Sequence, residues 1–297
     1  MRSCKKEDTY SKNLIFFLIK TIAILYNSRA GKGKAILVAN RLKEKLSGLQ
    51  YKFDAFEDAW PEDLKAYTDV WIIGGDGTLN YFINKYPDCD LPLVIFKGGT
   101  GNDFAWKLYG NKNLDDCFSI ALDALAKKID AGVCNGKYFL NGVGIGFDGE
   151  IVKSMGREKI LFKGYLAYLA VVIRKIFSYR ESELQITTEK INWKRQTFML
   201  TIANGSRYGG GFLVAPAAQV DDGLLDIVLI PRISIYQRLH LLPGAGKGKH
   251  LHMTESTRSE SVIVRADRKV FAHFDGEALE TDYFDIRILP QKFLFRY

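Results

Sequence analysis

The sequence predicts an α/β unit followed by an antiparallel β-sandwich. Three features predict it. Apolar runs at 21–26, 70–73 and 91–96 each break into a polar loop of small residues and glycines, as a buried parallel strand does on leaving its sheet. Helix-period segments follow these loops, so strand and helix alternate as far as Asp130. Beyond Asp130, short alternating strands succeed one another with few helices between them, the pattern of an antiparallel layered structure. A chain of 297 residues is long enough for a core in each part.

Taken in order, Thr21 to Tyr26 reads as a buried strand and Asn27 to Gly33 as its loop. A helix then carries Ile36, Leu37, Leu42 and Leu46 until Gly48 closes it. Tyr51 to Phe56 is predicted as a second strand and Trp60 to Lys65 as a short helix. Val70 to Ile73 breaks at Gly74-Gly75-Asp76-Gly77-Thr78 into another helix, and Leu91 to Phe96 repeats the device before Lys97 to Asp103. Asn113 is placed to cap a helix with Leu114, Phe118, Ala121, Leu122 and Leu125 at helical spacing. In an open α/β sheet the strands' C-terminal ends share one edge, where ligands bind, so three such loops are expected on that edge.

In the second part, strands are predicted at Phe139 to Phe147, Glu183 to Glu189, Thr197 to Ala203, Leu224 to Ile230, Ser261 to Arg265 and Lys269 to Phe274. One helix stands out, Ile160 to Tyr179, greasier than one buried stripe requires and flanked by Lys163, Arg174 and Lys175. Packing on the sheet is its plainer reading; a lid meeting a lipid tail or membrane surface is the functional one. Tyr283 to Tyr297 has strand character and no core of its own, so it is expected to return to the first part. The expected division is 20–133 with 284–297, and 134–283. Leu14 to Tyr26 follows basic residues as a signal peptide core does. Lys20 interrupts it, no small-residue cleavage site follows, and it is too short to span a bilayer. Residues 1–19 are therefore expected to be a disordered extension.

An apolar fraction of 47% and a charged fraction of 26% exclude a disordered chain and a membrane bundle. The net charge of +8 suits anionic lipid, a phosphorylated substrate or nucleic acid. Cys4, Cys89, Cys117 and Cys134 have no C-x-x-C spacing and read as free thiols of a reducing compartment. His250 and His252 could face one side of a strand, but no third ligand is spaced to complete a metal set. They read as a surface pair.

Amides freed at 74–78, at a helix start, make an anion site. Asp76 among them would repel phosphate unless a divalent cation lay between. A capped turn explains GGDG equally well. Asp221, Asp222 and Asp226 around Gly223 offer hard oxygens suited to magnesium or calcium. Phe274-Asp275-Gly276-Glu277 places two acids around a glycine, which alone reads first as a turn. Gly144 to Gly149 fits G-x-G-x-x-G, but a β-rich context, with no strand–helix unit carrying an acidic residue at the right distance, argues against a dinucleotide fingerprint. Gly244 to Lys249 lacks P-loop spacing and reads as a basic surface loop.

Together, GGDGTLN (74–80), KGGTGNDFA (97–105), IDAG (129–132), NGVGIGFDGEI (141–151), ANG with YGGGFLVAPAA (203–218), DDGLLDIVLI (221–230) and FDGE (274–277) strongly resemble the diacylglycerol kinase catalytic-domain family. That family includes bacterial diacylglycerol-type lipid kinases and the sphingosine and ceramide kinases. GGDGT alone is shared with nicotinamide-dinucleotide kinases; the ordered set is far more specific. The resemblance implies an NAD-kinase-like nucleotide-binding domain, completed by the C-terminal strand, and a β-sandwich with the active cleft between them. It implies ATP- and Mg2+-dependent phosphorylation of a lipid hydroxyl by a cytoplasmic enzyme peripheral at the membrane, with no nucleic-acid partner; a homodimer is compatible with it.

By matching positions, Asn27, Ser28, Arg29, Ala30, Gly31, Gly74, Gly75, Asp76, Gly77, Thr78, Leu79, Asn80 and Thr100 resemble the ATP contacts. Asp76, Asp103 and Asp130 resemble the acids that hold a catalytic magnesium through water. Glu277 resembles the general base, with Asp275 beside it. A structural magnesium is implied on the side chain of Asp222 and the carbonyls of Gln219 and Leu224. Two departures stand out: Ser28 replaces a usual proline, and Phe56 falls where a threonine is common. The competing readings are a soluble kinase of the dinucleotide type and a non-catalytic lipid- or nucleotide-binding module that attaches to membranes.

Overall fold

A computed structural model describes residues 20–157, 165–241 and 252–297. The extension expected at 1–19, the start of the greasy helix at 160–164, the basic loop at 244–249 and His250 lie outside the described residues. His252 sits in a short helical turn, not on a strand.

The first part is a parallel sheet. β1 (Thr21–Tyr26) pairs in parallel with β2 (Lys52–Glu57) on one side and β3 (Asp69–Gly74) on the other, and β4 (Leu93–Lys97) extends the sheet beside β3. β1 and β3 are buried almost throughout, as their unbroken apolar runs require of strands covered on both faces. Helices α1 (Lys34–Gly48), α2 (Asp76–Lys85), α3 (Asp103–Tyr109) and α4 (Leu114–Asp123) cover it. Asn113 caps α4 in a full capping box with Asp116. α4 ends at Asp123, so Leu125 falls outside it and is 84% exposed.

The segment Trp60 to Lys65 corrects the sequence reading, since it is irregular and not helical. Pro61 follows Trp60 and biases it away from helical dihedrals. The Asp63 carboxylate takes the Lys65 amide, offering the backbone a turn instead. Trp60 packs edge-on against Tyr81 and its indole N–H donates to the Tyr26 carbonyl.

The second part is antiparallel. β5 (Ala126–Cys134) leads through β6 (Lys137–Phe139) to β7 (Gly142–Gly146), α5 (Phe147–Arg157), α6 (Tyr165–Ser178), β8 (Ser182–Thr187) and β9 (Asn192–Ala203). Two short strands, β10 (Arg207–Tyr208) and β11 (Phe212–Leu213), precede β12 (Leu225–Pro231) and α7 (Ile235–Leu241). The chain ends with β13 (Glu255–Ser259), β14 (Ser261–Phe274) and β15 (Glu277–Arg296).

β7 and β8 share one lane between β9 and β14. Gly146 lies opposite Met199 and Ser182 opposite Thr197, so the chain leaves the lane, makes α5 and α6, and re-enters where it left. Gly144 to Gly149 thus spans the end of a strand and the start of a helix, but the strand's neighbours are antiparallel, not those of a parallel strand–helix unit. The strands read as 261–265 and 269–274 are one strand, β14, with an irregularity between Arg265 and Val270. Its core is built from Val143, Ile145, Leu200, Ile202, Ile227, Val264 and Phe284.

β15 joins the two parts. It starts antiparallel to β14 and finishes beside β5 and, at Phe295, parallel to β4 opposite Leu93. Arg296 pins that end, pairing with buried Asp69 at 2.7 Å and donating to the Ala124 carbonyl. All strands from β13 to β2 therefore belong to one continuous sheet, apart from the β10–β11 pair.

Candidate active site

Three loops meet at the C-terminal edge of the parallel strands, as expected, but their glycines serve mainly to let backbone meet backbone. A Cβ on Gly99 would lie 2.5 Å from the Gly75 nitrogen, and one on Gly98 would lie 3.0 Å from the Ala35 Cα. A Cβ on Gly31 would overlap the Gly98 carbonyl oxygen. Gly77 differs: nothing lies within 4 Å of a Cβ built there, and it is exposed. Of these glycines, Gly77 leaves room for a ligand.

Gly77 and Thr78, at the start of α2, line a cleft of ≈ 320 Å³ with Asn27, Arg29, Asp58, Trp60 and Tyr81. The first amides of a helix have no intrahelical acceptor, and they favour an anion. Trp60 and Tyr81 meet at 5.1 Å between ring centroids and give the cleft an aromatic wall. Ser28, where a proline was expected, is tied instead by Asp58. Its N–H donates to Asp58 Oδ1 at 2.8 Å and its hydroxyl to Oδ2 at 2.6 Å. These two bonds hold the Asp58 carboxyl below its ordinary pKa. Asn27 Oδ1 accepts from the Arg29 amide, so the loop is fixed at two points. Ala30 and Gly31 lie in a tight turn where Gly31 has left-handed φ, 57°, and exposed Thr100 projects from the third loop. Leu79 and Asn80 point inward: Leu79 is core, and Asn80 donates to the Tyr138 carbonyl.

Behind the cleft lies a group of acids. Asp76 Oδ2 and Oδ1 accept from the amides of Asp103 and Phe104 at 3.0 Å each, so Asp76 caps α3 from outside. Asp103 is buried; its Oδ2 takes the Gly210 amide at 2.7 Å, and the Arg207 Nε lies 3.0 Å from its Oδ1 without hydrogen-bond alignment. Arg207 also lies 3.8 Å over the Trp106 ring. Burial, then the Asp76 charge, raises the Asp103 pKa.

Asp275 and Gly276 form the two-residue turn between β14 and β15. Both have left-handed φ, 48° and 92°, as a type I′ hairpin requires. The buried Asp275 carboxylate gathers the amides of Leu140, Asn141 and Gly142 at 2.7 to 3.0 Å. Burial outweighs those bonds, and with Asp76 nearby its pKa is pushed up to about 6. Asn141 spans the two acids: its amide N–H reaches Asp275 and its side-chain amide lies 3.5 Å from Asp76 Oδ1. Glu277 follows the turn as an exposed carboxylate.

Asp130 lies where the 221–224 turn meets β15. Its two oxygens take the amides of Gly223 and Gln291, both at 2.7 Å, with 1% of the residue exposed. It staples the 221–224 turn to β15, and Asn204 donates to the carbonyls of Asp130 and of Leu140, whose amide Asp275 takes.

The acids fit a divalent cation at the cleft. Asp76, Asp103 and Asp275 are hard oxygen donors, and burial first, with the Asp76 charge beside it, raises the pKa of the other two. Beside them the Asn141 Oδ1 is buried with no hydrogen-bond partner. The 219–224 turn does not fit one. Asp222 Oδ2 is taken by the Arg258 guanidinium and Oδ1 by the Leu224 amide at 3.1 Å. Both Asp222 oxygens are thus engaged, which leaves none free to join the carbonyls of Gln219 and Leu224 in a ligand set. Among the described residues no group of three or more His, Cys, Asp or Glu forms a ready-made metal cage.

Sequence reasoning missed Asp58, Trp60, Tyr81, Asn141 and Arg207. Asn141 lay within a quoted motif; the others carried no pattern that spacing could reveal.

Comparison with known proteins gives the family and the fold. Residues 21–134 match the family model "Diacylglycerol kinase catalytic domain", and residues 141–294 match "YegS C-terminal NAD kinase beta sandwich-like domain". The chain is 31% identical over 211 residues to "Probable lipid kinase YegS-like" of Pseudomonas aeruginosa, covering 70% of this chain and 69% of that one. It is 25% identical over 229 residues to "Diacylglycerol kinase" of Bacillus subtilis, covering 75% and 76%. The fold is similar to that of a diacylglycerol kinase crystal structure from Bacillus anthracis, with TM-score 0.70 and 20% identity over 94% of this chain and 97% of that one. It is also similar to an Archaeoglobus fulgidus NAD kinase solved with ATP, with TM-score 0.55 and 14% identity over 93% of each chain.

Proposed function

The chain belongs to the diacylglycerol-kinase-type family of lipid kinases, and from that premise we propose that it transfers the γ-phosphate of ATP, with Mg2+, to a hydroxyl of a diacylglycerol-like or sphingoid lipid. The observation that carries the reading is the meeting of the glycine-loop cleft with the Asp76–Asp103–Asp275 group and the turn that presents Glu277.

In this reading Asn27 to Gly31, Gly77, Thr78 and Thr100 bind the triphosphate, and Trp60 with Tyr81 faces the base. Asp76 and Asp103, with Asn141 alongside, would hold Mg2+, which when bound neutralises phosphate charge during transfer. Arg207 keeps the Asp103 carboxylate in place. Glu277 takes the proton of the acceptor hydroxyl as the new O–P bond forms, so the hydroxyl must come within hydrogen-bond reach of it. Asp275 fixes the turn that carries Glu277, because its three amide bonds lock the hairpin to the start of β7.

The proposed workplace is the cytoplasmic surface of a membrane, where such lipids reside. No described helix is long and apolar enough to cross a bilayer. Ile173 and Phe177 on α6, with Ile235, Tyr236 and Leu239 on α7, leave apolar side chains exposed beside the sandwich, which suits contact with lipid.

The test is transfer from γ-labelled ATP with vesicles carrying diacylglycerol, monoacylglycerol, a sphingoid base or phosphatidylglycerol, and with free NAD as a soluble acceptor. Labelled lipid supports the reading. Label in NAD alone, or in no acceptor, contradicts it.

A further inference from the structure

The turn at 221–224 is where the family likeness implied a bound cation and where the side chains present do not fit one. β12 leaves this turn and runs antiparallel to β13, with Asp226 directly opposite Arg258. From that cross-strand position the guanidinium reaches past Asp226, whose Oδ2 lies 3.4 Å from Nε, and forms an ion pair with Asp222 Oδ2. The other Asp222 oxygen is held by the Leu224 amide within the turn. The Gly223 amide is taken by Asp130, and Lys107 of α3 donates to the Ala218 carbonyl just before the turn at 2.6 Å. A divalent ion on Asp222 would have to displace a guanidinium that two carboxylates attract, and would repel it where it stood. The Arg258 guanidinium hydrogen-bonds Asp222, while Asp226 Oδ2 faces its charge at 3.4 Å without hydrogen-bond alignment.

We propose that Arg258 is the resident cation of this turn, and that the chain holds the entry to β12 by a protein charge where its relatives' pattern calls for a metal. The cost of this solution is directional. A metal would accept oxygens from any side, whereas Arg258 must approach from β13, so the turn is coupled to the β12–β13 pairing. The inference concerns how the sandwich is held and stands apart from the proposed kinase reaction, since its readout is stability.

The test uses the full chain and four proteins: wild type, Arg258→Met, Asp222→Asn and the double variant. Thermal midpoints are measured for each in excess chelator and in Mg2+. Comparing Asp222→Asn with wild type inside each solution removes any stabilisation from Mg2+ at the active cleft. The expected result is that Asp222→Asn lowers the midpoint equally in both solutions, and that this loss shrinks in the Arg258→Met background. Arg258→Met with Asp222 intact should gain a Mg2+-dependent rise in midpoint, larger than that of wild type, which Asp222→Asn abolishes. A loss from Asp222→Asn that appears only in Mg2+, or in neither solution, overturns the proposal. Should Arg258→Met fail to fold, Arg258→Lys replaces it: keeping the charge but not the fork, it should show a partial loss that is the same with and without Mg2+.

Discussion

Gly99 and Gly77 separate two roles that glycine-rich loops usually confound. A methyl on Gly99 would sit 2.5 Å from the Gly75 nitrogen and closer still to its Cα. Non-bonded heavy atoms rest about 3.5–4.0 Å apart, so the two loops would have to separate by roughly 1 Å. Both loops are anchored, with the Gly98 amide donating to the Gly74 carbonyl at 2.9 Å and Asp76 capping α3. Overpacking of this kind costs about 1–3 kcal/mol. At about 2–4 °C per kcal/mol for a domain of this size class, Gly99→Ala should lower the melting midpoint by ~2–12 °C. A methyl on Gly77 meets nothing within 4 Å, and Gly77 lies in the first turn of α2. Alanine is the better helix former by up to ~1 kcal/mol, so Gly77→Ala should melt at the wild-type temperature or above. Its methyl would occupy the cleft, however, and ATP binding should weaken clearly. Differential scanning calorimetry and equilibrium dialysis with labelled ATP read the two effects separately. A Gly99→Ala protein that melts like wild type would refute the packing argument. A Gly77→Ala protein that binds ATP normally would remove the nucleotide from this cleft.

Asp275 makes stability depend on pH. Its pKa rises from 3.8 to about 6 in the folded protein, so the native state binds more protons than the unfolded state between those values, and stability is lost as pH rises through that window. The full rise corresponds to ~3 kcal/mol; urea unfolding in metal-free buffer should show wild type gaining on Asp275→Asn between about pH 7 and about pH 5, and parallel curves would exclude the assignment. Asp58→Ala should raise the KM for ATP with little change in kcat by freeing Ser28, and adding Ser28→Pro should restore it; an unchanged KM in Asp58→Ala would show that the loop needs neither tie. Arg238 is buried, paired with Glu181, and donates to the carbonyls of Ile176, Tyr179 and Ile233, which ties α7 to the end of α6. Arg238→Ala should cost about 3–5 kcal/mol because it strands a buried carboxylate. Adding Glu181→Gln should recover part of that loss, and a wild-type urea midpoint in the single variant would contradict the clamp.

Much of the fold was legible because the apolar runs were unambiguous. Thr21 to Tyr26 and Val70 to Ile73 could only be buried strands, and Asn113 announced its helix by its own capping chemistry. What local pattern could not show was geometry set by distant partners. Trp60 to Lys65 has helix-compatible spacing, yet Pro61, Asp63 and the aromatic wall of Tyr81 decide otherwise. β7 and β8 share a lane because β9 and β14 flank both, a fact spread over sequence positions more than a hundred residues apart.

The site divided in the same way. Asp76, Asp103 and Asp275 were visible as motif acids, and the structure gathers them through Asn141 and the α3 amides. Asp130 also carried a motif, and the two backbone amides that its oxygens accept come from far along the chain. Asp222 looked like a metal ligand from its neighbours in sequence. Arg258, which answers its charge, comes from another strand.

The most direct test of the account is label transfer from γ-labelled ATP into acceptor lipid by wild type, Glu277→Gln and Asp76→Asn at matched protein stability. General-base contributions of ~10²–10⁴ predict a loss of at least about a hundredfold in Glu277→Gln, and Asp76→Asn should transfer no label above background in Mg2+. Both variants should keep a wild-type fold by circular dichroism. Labelled lipid formed by either variant at the wild-type rate would contradict the claim that the loop cleft and the Asp275-Gly276 turn together form the reaction centre.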